Sequence, residues 1–372
     1  MSKRDIVVIG SSAGGVYALQ ELIRGLPADF SGSIFIVQHV SPFAPSMLPE
    51  ILTRCGMLEA CHPHDGELIR PGRIYIAPPD HHLLVERDNA EWPDSENKEE
   101  ATIGRILVRK GPKENRFRPS IDALFRSAAY SYGARVIGVV LTGLLNDGTS
   151  GMWTIKRLGG MGIVQQPDDA LYSSMPESVL EYVEVDHVLP LADIALLLNQ
   201  LTQETVVESG LQRPHNVPDL TAVNNELNRI KTEVDVAAAT PVPPFDQGIL
   251  SMGKLTPITC PECSGVLVSF QEGHLIRYRC HTGHSYTAST LLADVTKSIE
   301  DTMWQSVRGL EESVMLLNQA GDQLAEAGMD EAAEKYRTRS GEALQRAHSI
   351  RELIFTNKQM AVDGTPSTVE GI

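Results

Sequence analysis

The sequence predicts an α/β domain with a doubly wound, mostly parallel sheet, followed by a small cysteine-containing unit and an α-helical hairpin. Short β-branched runs alternate with helical patterns from residue 5 to about residue 197, which is typical of βαβ units. Three of the five cysteines lie between residues 257 and 287. Beyond residue 288, apolar side chains recur at intervals of three and four, the spacing of an amphipathic helix.

The α/β domain alternates strand-sized apolar runs with helical segments. The predicted strands cover residues 6–9, 34–38, 74–77, 106–108, 136–141 and 162–165. The predicted helices between them cover residues 15–25, 120–133 and 149–158. We assign residues 1–200 to this domain, and about 200 residues is a normal size for one domain of this class.

The chain after this domain is expected to form four further segments. Residues 201–256 are rich in proline and have no apolar period, so we expect a linker with one short helix near residues 223–236. The cysteine-containing unit covers residues 257–287, the hairpin residues 288–357, and a disordered tail residues 358–372. A break at Gly328 makes two antiparallel helices the simplest interpretation of the hairpin. Its apolar stripe is either an internal seam or a surface for a partner, including self-association.

Composition and charge exclude several classes of protein. The formal net charge is −16 and no long basic run occurs, so we expect no nucleic-acid partner. The apolar runs are far shorter than the roughly 20 residues that span a bilayer, and the N terminus lacks the apolar core of a signal peptide. We therefore expect a cytoplasmic protein without membrane insertion. The odd number of cysteines argues against a disulfide framework.

The turn after the first predicted strand contains a candidate nucleophile. A dinucleotide-binding turn would need glycine at the position of Ser12, so that the backbone could approach a pyrophosphate. The stretch Gly10-Ser11-Ser12-Ala13-Gly14 instead fits the G-x-S-x-G pattern, in which a sharp strand-to-helix turn exposes a serine hydroxyl. The pattern favours Ser12 as a nucleophile, although such residues also fill ordinary turns.

A base and an acid for this serine are expected at the same edge of the sheet. His39 follows the second predicted strand and Asp147 follows the strand at residues 136–141, and the carboxyl ends of parallel strands meet at one edge. An imidazole activates a serine, and a carboxylate orients the imidazole. Taken alone, Asp147 could instead be a turn residue or, as its position favours, an N-cap of the following helix. The competing titratable residues are His81, His82 and Asp122.

The cysteine-containing unit has the spacing of a zinc ribbon. Cys260 and Cys263 form a C-x-x-C pair, and Cys280 is followed by His284; two such pairs on two turns supply a tetrahedral site. Residues 265–270 and 275–279 alternate like strands of a hairpin. With four protein ligands the zinc would be structural. His281 or His274 could replace His284 as the fourth ligand. The alternative to a zinc site is a redox-active C-x-x-C pair.

The α/β domain resembles the catalytic domain of the CheB-type chemotaxis methylesterases, the protein-glutamate methylesterases of bacteria. The resemblance is carried, in the family's order and spacing, by VVIGSSAGGVYALQELIRGLP, IFIVQHVSP, GRIYIAPPDHHLLV, RPSIDALFRSAAYSYGARVIGVVLTGLLNDGTSGM and GGMGIVQQPDDALYSSMPESVL. It covers residues 5 to about 200 and implies a methylesterase-like fold. Matched position by position, it implies that Ser12 is the nucleophile, His39 the base and Asp147 the aspartate.

The resemblance also implies an activity and partners. It implies hydrolysis of glutamate γ-methyl esters on a methylated chemoreceptor or receptor-like coiled coil, with release of methanol, and for some members deamidation of glutamine. It implies no cofactor for catalysis, and it places an oxyanion donor in the loop at Leu144. Because the chain is acidic, recognition of an acidic receptor helix would have to be local, with Arg116, Arg118 and Arg126 as weak candidates.

Two positions depart from the family's usual pattern. Ala13 in the turn Ser12-Ala13-Gly14-Gly15 replaces a threonine, and Leu145 in Gly143-Leu144-Leu145 replaces a glycine. If that glycine needs a positive φ, Leu145 is strained. The chain also begins almost directly at the catalytic strand, so we expect no receiver domain and no control by aspartyl phosphorylation in cis.

Two alternative functions follow from these departures. One is a catalytically weak regulatory or scaffold protein of a chemosensory-like pathway that kept the fold. The other is a carboxylesterase with a different substrate. Retention of all three triad residues argues against the scaffold protein, but it does not identify which ester is the substrate.

Overall fold

The computed structural model describes residues 2–87, 104–206 and 220–356. The predicted tail at residues 358–372 lies outside the described residues. The chain divides into two compact units, one that ends at Thr290 and one that begins at Leu291.

The elements of the described residues are as follows. The strands are β1 Ser2–Lys3, β2 Ile6–Ser11, β3 Ser33–Gln38, β4 Glu59–Cys61, β5 Arg73–Ile76, β6 His82–Glu86, β7 Arg105–Arg109, β8 Val136–Val140, β9 Met161–Gln165, β10 His187–Leu189, β11 Thr205–Val206, β12 Lys254–Thr259, β13 Val266–Glu272, β14 Leu275–Cys280 and β15 Ser285–Thr287. The α-helices are α1 Gly15–Arg24, α2 Leu48–Cys55, α3 Ile121–Tyr132, α4 Thr149–Arg157, α5 Ser174–Tyr182, α6 Leu191–Leu201, α7 Leu220–Ala237, α8 Ala288–Glu326 and α9 Asp330–Thr356.

The main sheet of the first unit confirms the predicted parallel architecture. Within the described part of the chain it has seven strands in the order β10-β9-β8-β2-β3-β5-β4. All of its strand pairs are parallel. Strand β2 lies between β3 and β8, and the chain leaves it first toward β3 and later toward β8. The order therefore reverses at β2, which is where open α/β sheets place their sites.

Helices cover both faces of this sheet. Ile6 and Val8 of β2 point into a core with α3, α4 and α5, whereas Val7 and Ile9 point into a second core with α1, α2 and α6. All residues of β2 are buried, so the strand is a continuous apolar run rather than an alternating one. The doubly wound class is confirmed.

The predicted strand at residues 106–108 does not join the parallel sheet. It forms β7, which pairs antiparallel with β6 in a separate two-stranded sheet. Of its five residues only Ile106 is buried, whereas β2, β3 and β8 are buried throughout. Apolar β-branched composition predicts a strand, but it does not specify the partner strand.

The segment at residues 201–256, expected to be a linker, is packed where the structure describes it. Its predicted helix is present and extends over the whole of α7. Ile230, Glu233 and Val236 of α7 are buried, and Val236 packs on Ile249 and Val268. The segment has few large apolar side chains, so its sequence shows no helical period. Its buried side chains nevertheless pack against the α/β core and the ribbon, and they include the charged Glu233.

The cysteine-containing unit forms an antiparallel sheet in the order β12-β13-β14-β15. Strands β13 and β14 confirm the predicted hairpin, and Gly273 at its turn has a φ of +60°. Contacts with the α/β core place this sheet in the first compact unit. We refer to strands β12–β15 with their turns as the ribbon.

A buried cluster of charges joins the ribbon, α7 and the α/β core. The buried groups are Arg126, Arg277, Arg279, Glu114, Glu233 and Glu272. Their ion pairs include Arg126 Nη1 to Glu114 Oε2 at 3.0 Å, Arg277 Nη1 to Glu272 Oε2 at 3.1 Å and Arg279 Nη2 to Glu233 Oε1 at 2.9 Å. Because each charge has an opposite partner, the cluster remains ionised although it is buried.

The carboxylates of this cluster make folding sensitive to acid. Burial by itself raises the pKa of Glu272, but the charges of Arg277 and Arg229 outweigh it and lower the pKa from 4.5 to about 2. A carboxylate whose pKa is lower in the folded state stabilises folding above its unfolded pKa. This stabilisation is therefore present above pH 4.5 and is lost as the pH falls toward about 2.

We expect Arg277→Met to lower the free energy of unfolding by about 3 kcal/mol, because it removes a buried cationic partner of both Glu272 and Glu233 and leaves Arg229 as the remaining partner of Glu272. Urea unfolding followed by circular dichroism measures the change. Arg308→Met is the matched control, since the Arg308 ion pair with Glu312 is exposed and should contribute less than about 1 kcal/mol. Equal effects of the two substitutions would contradict the prediction.

The second unit confirms the predicted helical hairpin. Helices α8 and α9 are separated at Gly328, whose φ is +74°. Trp304 meets Phe355 edge to face with ring centroids 6.1 Å apart, and Arg351 pairs with Glu311, so the two helices run antiparallel. In the described parts of the chain, no helix combines the length and the apolar composition needed to cross a bilayer.

Candidate active site

The three predicted triad residues lie at the carboxyl ends of neighbouring strands. Ser12 directly follows β2, His39 directly follows β3, and Asp147 lies in the loop between β8 and α4. Because β2 pairs in parallel with both β3 and β8, the three loops meet at one edge of the sheet. The topology thus brings together residues that are up to 135 positions apart in the sequence.

The side chains form a continuous hydrogen-bonded line. His39 Nδ1 is 3.1 Å from Ser12 Oγ, and His39 Nε2 is 2.8 Å from Asp147 Oδ2. The His39 side chain is 6% exposed and the Asp147 side chain 0%. The Asp147 carboxylate can only accept a hydrogen bond, so Nε2 must carry the imidazole proton. The Nδ1 lone pair is then directed at the serine hydroxyl. The arrangement can therefore withdraw a proton from Ser12.

Asp147 is held as an anion by the N terminus of α3. Its other donors are the Ser120 hydroxyl (2.8 Å), the Ile121 N–H (2.7 Å), the Asp122 N–H (3.2 Å) and Asn115 Nδ2 (3.0 Å). Burial by itself raises the pKa of Asp147, but the hydrogen bonds from His39, Asn115 and Ile121 lower it below its ordinary value. Asp147 thus remains charged and fixes the imidazole.

A second aspartate reciprocates this contact. Asp122 of α3 accepts hydrogen bonds from Gly148 N–H at 3.0 Å and Gly151 N–H at 2.7 Å, at the N terminus of α4. The N terminus of α3 is therefore capped by Asp147 of the loop before α4, and the N terminus of α4 is capped by Asp122 of α3. Burial, together with the charge of Asp147, raises the pKa of Asp122 to about 7. Asp122, a competing candidate in the sequence, thus supports the loop of Asp147 and does not contact Ser12 or His39 in the described hydrogen bonds.

The loop before α3 contacts both members of the acid-base pair. Asn115 donates to Asp147, and the Phe117 ring stacks on the His39 ring with centroids 3.7 Å apart and an interplanar angle of 11°. Sequence reasoning missed both residues. Both lie just upstream of the motif RPSID, but no local pattern in that stretch indicates which side chains reach the triad.

The nucleophile turn needs its small residues. Gln38 accepts a hydrogen bond from Ser11 Oγ at 2.7 Å and donates to the Ser12 carbonyl at 2.8 Å. A Cβ on Gly15 would lie 2.1 Å from Gln38 Oε1, and Gly14 has a φ of +75°. Gly14 and Gly15 therefore let α1 begin directly against Gln38, which holds the turn of Ser12.

Comparison with known proteins identifies the family of the domain that contains this site. The family model described as CheB methylesterase matches residues 7–198. The chain belongs to the CheB methylesterase family. It is 36% identical over 202 residues to a putative protein-glutamate methylesterase/protein-glutamine glutaminase of Leptospira interrogans, covering 54% of this chain and 97% of that protein. It is 34% identical over 194 residues to a protein-glutamate methylesterase/protein-glutamine glutaminase of Methanosarcina mazei, covering 52% of this chain and 51% of that protein.

A solved structure of the family is also similar. The catalytic domain of Thermotoga maritima CheB methylesterase is 35% identical, and the match covers 54% of this chain and 100% of that chain with a TM-score of 0.48. The family model and these two curated relatives match about half of this chain.

Two backbone N–H groups in this methylesterase domain are candidates for binding an oxyanion. The Ser12 N–H donates to the Thr142 carbonyl at 3.1 Å. Within the part of the chain that the structure describes, the N–H groups of Ala13 and Leu144 have no acceptor. A Cβ on Gly143 would lie 2.9 Å from Ser12 Cβ, so the loop of Leu144 passes directly beside the nucleophile.

The methylesterase loop contains the expected strain. Leu145 has a φ of +66°, in a region that leucine rarely occupies. Its N–H donates to Ser174 Oγ at 3.1 Å, which fixes the loop in spite of the strain. Leu145 therefore adopts the left-handed region although it is not a glycine.

We expect Leu145→Gly to be more stable than Leu145→Ala by about 1 kcal/mol, because alanine keeps the Cβ that is unfavourable at positive φ and glycine removes it. Both variants lose the leucine side chain, so their difference isolates the backbone conformation. Thermal unfolding of the two variants measures it. Equal melting temperatures would show that the loop carries no strain at this position.

The remaining candidates of the sequence analysis have other roles. His82 is buried, donates through Nε2 to the Pro112 carbonyl at 2.9 Å and accepts the Ser120 N–H at Nδ1; burial lowers its pKa. His81 Nδ1 bonds the Pro79 carbonyl. Arg126 is fully buried in the charge cluster and cannot contact a protein substrate, contrary to the expectation. Arg118 donates to Asp80 at 2.6 Å.

The ribbon brings its predicted ligands together. The ligand atoms of Cys260, Cys263, Cys280 and His284 lie within 4.8 Å of one another, and among the described residues this is the group that could hold a metal ion. The Cys263 to Cys280 Sγ distance is 3.7 Å, and His284 Nδ1 lies 3.6 Å from Cys280 Sγ. A zinc tetrahedron has S to S edges of about 3.8 Å and S to N edges of about 3.6 Å. His274 and His281 do not belong to the group.

Proposed function

We propose that this chain is a serine esterase that hydrolyses glutamate γ-methyl esters on a methylated chemoreceptor or receptor-like coiled coil. The observation that carries the proposal is the line from Ser12 through His39 to Asp147 in a chain of the CheB methylesterase family. The names of its relatives support the ester and amide substrates. Receptor signalling helices as the substrate imply that the reaction takes place in the cytoplasm.

The first half of the reaction forms an acyl-enzyme. His39 Nδ1 takes the proton of Ser12 as Oγ attacks the γ-carbonyl carbon of the methyl ester. The resulting imidazolium is stabilised by Asp147 at Nε2. The proton then passes from Nδ1 to the methoxy oxygen, the C–O bond breaks and methanol leaves, with the glutamyl group bound to Ser12.

The second half restores the carboxylate. A water molecule in the place of methanol loses a proton to His39 Nδ1 and attacks the acyl carbon. Collapse of the tetrahedral intermediate returns a proton to Ser12 Oγ and releases the glutamate side chain. We propose that the N–H groups of Ala13 and Leu144 bind the oxyanion in both halves, because in the described structure they have no acceptor and lie beside Ser12.

The same steps would deamidate glutamine. Ammonia then leaves in place of methanol, and His39 supplies its proton through the same nitrogen. The second half is identical, because both substrates give the same glutamyl-enzyme. The two activities are therefore expected to depend on the same three residues.

Release of labelled methanol tests the proposal. The purified full chain is incubated with receptor membranes that carry methyl-labelled glutamates, and the control is the same membranes without protein. We expect release that follows protein concentration. Absence of release from folded protein, together with reaction of Ser12 with a fluorophosphonate ester probe, would favour a carboxylesterase with another substrate. Absence of both would favour the weakly catalytic regulatory or scaffold protein.

We further propose that the ribbon binds a structural zinc ion through Cys260, Cys263, Cys280 and His284. Three thiolates and one imidazole suit zinc and leave no open position. The hydroxyl of Tyr286 lies 3.4 Å from Cys260 Sγ, where it can donate to a thiolate. A bound zinc ion would supply a cross-link between the two turns, and the proposed triad chemistry uses no cofactor.

Metal analysis tests this assignment. Zinc is expected at one equivalent per chain in the purified protein, and Cys263→Ser should lower both the content and the melting temperature. Cys55→Ser is the matched control, because Cys55 lies outside the group. Zinc content that is unchanged in Cys263→Ser would contradict the ligand set. Self-association through α8 and α9 remains a separate prediction, for which sedimentation of the full chain is the test.

A further inference from the structure

The ribbon strand that follows the last metal ligand candidate lies on the loop that holds the triad. His284 is the residue before β15. The Asn115 N–H donates to the Ser285 carbonyl at 2.7 Å, and the Ser285 N–H donates to the Lys113 carbonyl at 3.3 Å. Strand β15 thus forms a bridge with residues 113–115, directly after the turn that carries Cys280 and His284 and two residues before Phe117.

This loop has an unfavourable backbone that needs support. Asn115 has a φ of +50° and Arg116 a φ of +76°, so two successive residues other than glycine adopt the left-handed region. Such a conformation persists when neighbouring structure determines it. Here the neighbouring structure is β15, whose Ser285 carbonyl accepts a hydrogen bond from the backbone N–H of Asn115.

The Asn115 side chain connects the ribbon directly to the catalytic aspartate. Its amide nitrogen donates to Asp147 Oδ1 at 3.0 Å and to Asp122 Oδ2 at 2.6 Å. Its oxygen accepts the Thr287 N–H at 3.2 Å and the Thr290 hydroxyl at 3.3 Å. Every hydrogen-bonding group of this buried amide is therefore used, and its orientation is determined by β15 on one side and by the two aspartates on the other.

A second contact reaches the residue before Asp147. Asn146 Nδ2 donates to Thr287 Oγ1 at 2.8 Å, and Thr287 Oγ1 donates to Asn146 Oδ1 at 3.0 Å. A third contact is the ion pair between Arg279, the residue before Cys280, and Glu114, with an N to O distance of 2.8 Å. The first two contacts thus join Thr287 of the ribbon to Asn115 and Asn146, which lie next to Asp147 in space or in sequence, and the third joins the ribbon to Glu114, the residue before Asn115.

The ligand turn is the part of the ribbon that positions β15. The Cys280 N–H donates to the His284 carbonyl at 3.0 Å, and the Gly283 N–H donates to the Cys280 carbonyl at 2.9 Å. Strand β15 itself has three residues, so its position depends on its attachments. Ligation of Cys280 and His284 to one metal ion would fix both ends of the turn that leads into it.

We propose that the ribbon is a positioning element of the active site, in which metal binding fixes β15 and β15 holds Asn115 and Asn146 so that Asp147 remains aligned with His39. Asn115 and Thr287 are positioning residues in this scheme and do not contact the substrate. The proposal rests on the esterase and the zinc site proposed above. It makes the reactivity of Ser12 depend on a metal ion that contacts neither Ser12 nor the ester.

The test uses two measurements on the full chain, with and without zinc. The first is the rate at which a fluorophosphonate ester labels Ser12, which needs no receptor. The second is the proton NMR signal of the His39 Nε2–H in ¹⁵N-histidine-labelled protein, assigned by its loss in His39→Gln, which needs no activity. We expect zinc removal to slow labelling about 10–100-fold and to shift or broaden the His39 signal, and zinc addition to reverse both.

A matched pair of variants separates positioning from general stability. Thr287→Val removes the hydroxyl that bonds Asn146, and Thr302→Val removes an exposed hydroxyl that bonds only its own helix. In zinc-loaded protein, Thr287→Val should slow labelling about 10-fold and Thr302→Val should not change it. In zinc-free protein, Thr287→Val should add no further loss, because the contact is already disordered.

The proposal is overturned if zinc-free protein keeps both the His39 signal and the labelling rate of the loaded protein. It is also overturned if Thr287→Val leaves both unchanged in loaded protein. If Ser12 is never labelled, the proposed esterase fails, but the His39 signal still decides whether the ribbon positions the His39–Asp147 pair. If the chain binds no zinc, the zinc assignment fails, and Thr287→Val still tests the contact of β15 with the triad loop.

Discussion

Ser12→Ala is expected to lower methyl-ester hydrolysis about 10⁶-fold while leaving the fold intact. The substitution removes the hydroxyl whose proton His39 Nδ1 accepts at 3.1 Å, so no acyl-enzyme can form. The backbone bonds of the turn remain, because the residue-12 N–H still donates to Thr142 and its carbonyl still accepts from Gln38. Methanol release and fluorophosphonate labelling measure the loss.

A neighbouring serine provides the control for this prediction. Ser41 follows His39 in the same loop and is exposed, so Ser41→Ala should keep the rate of the parent chain. Unfolding curves of both variants should coincide with that of the parent. A rate in Ser12→Ala within 10-fold of the parent would mean that another nucleophile carries the reaction.

Asp147→Asn is expected to lower kcat about 10⁴-fold. An asparagine has one acceptor oxygen where the carboxylate has two, but both carboxylate oxygens face donors, including the Ile121 N–H and the Ser120 hydroxyl. If the amide nitrogen faces His39, the imidazole must carry its proton on Nδ1, and no lone pair is left for Ser12. If it faces the other way, it meets the donors of α3 and destabilises the loop.

The measurement for Asp147→Asn is the ester hydrolysis rate, together with the free energy of unfolding. Asp168→Asn is the matched control, because Asp168 is exposed in the segment after β9 and should change neither quantity. A kcat within 10-fold of the parent would show that Asp147 serves only as a cap for α3. That outcome would favour a capping role for this residue, but for α3 and not for the following helix α4 that the sequence suggested.

Local patterns were sufficient to predict the α/β core. The apolar runs of β2, β3 and β8 are buried on both faces, so each one reads as a strand from composition by itself. The positions of Ser12 and His39 followed directly, because each residue comes immediately after its strand. Asp147 required the further inference that β8 is parallel to β2, which the βαβ pattern supplied.

Segments without an apolar period were predicted less well. The stretch at residues 220–256 was expected to be a linker, yet Glu233 of α7 is buried among arginines of the core and the ribbon. A buried glutamate has no signature in a single sequence, since charged residues are usually exposed. Its burial depends on partners that lie far away in the chain.

The sequence by itself predicted the candidate groups of this protein. The G-x-S-x-G turn, the histidine after β3 and the spacing of the cysteines are local features, because a turn or a pair of metal ligands depends on neighbouring residues. Only the tertiary structure decided how these parts are joined. Asn115 meets Asp147 and Thr287, and Arg279 meets Glu114, because burial in one core requires each distant polar group to find a partner. Such pairings depend on the packing of distant segments, so the periodicity or composition of a single segment does not predict them.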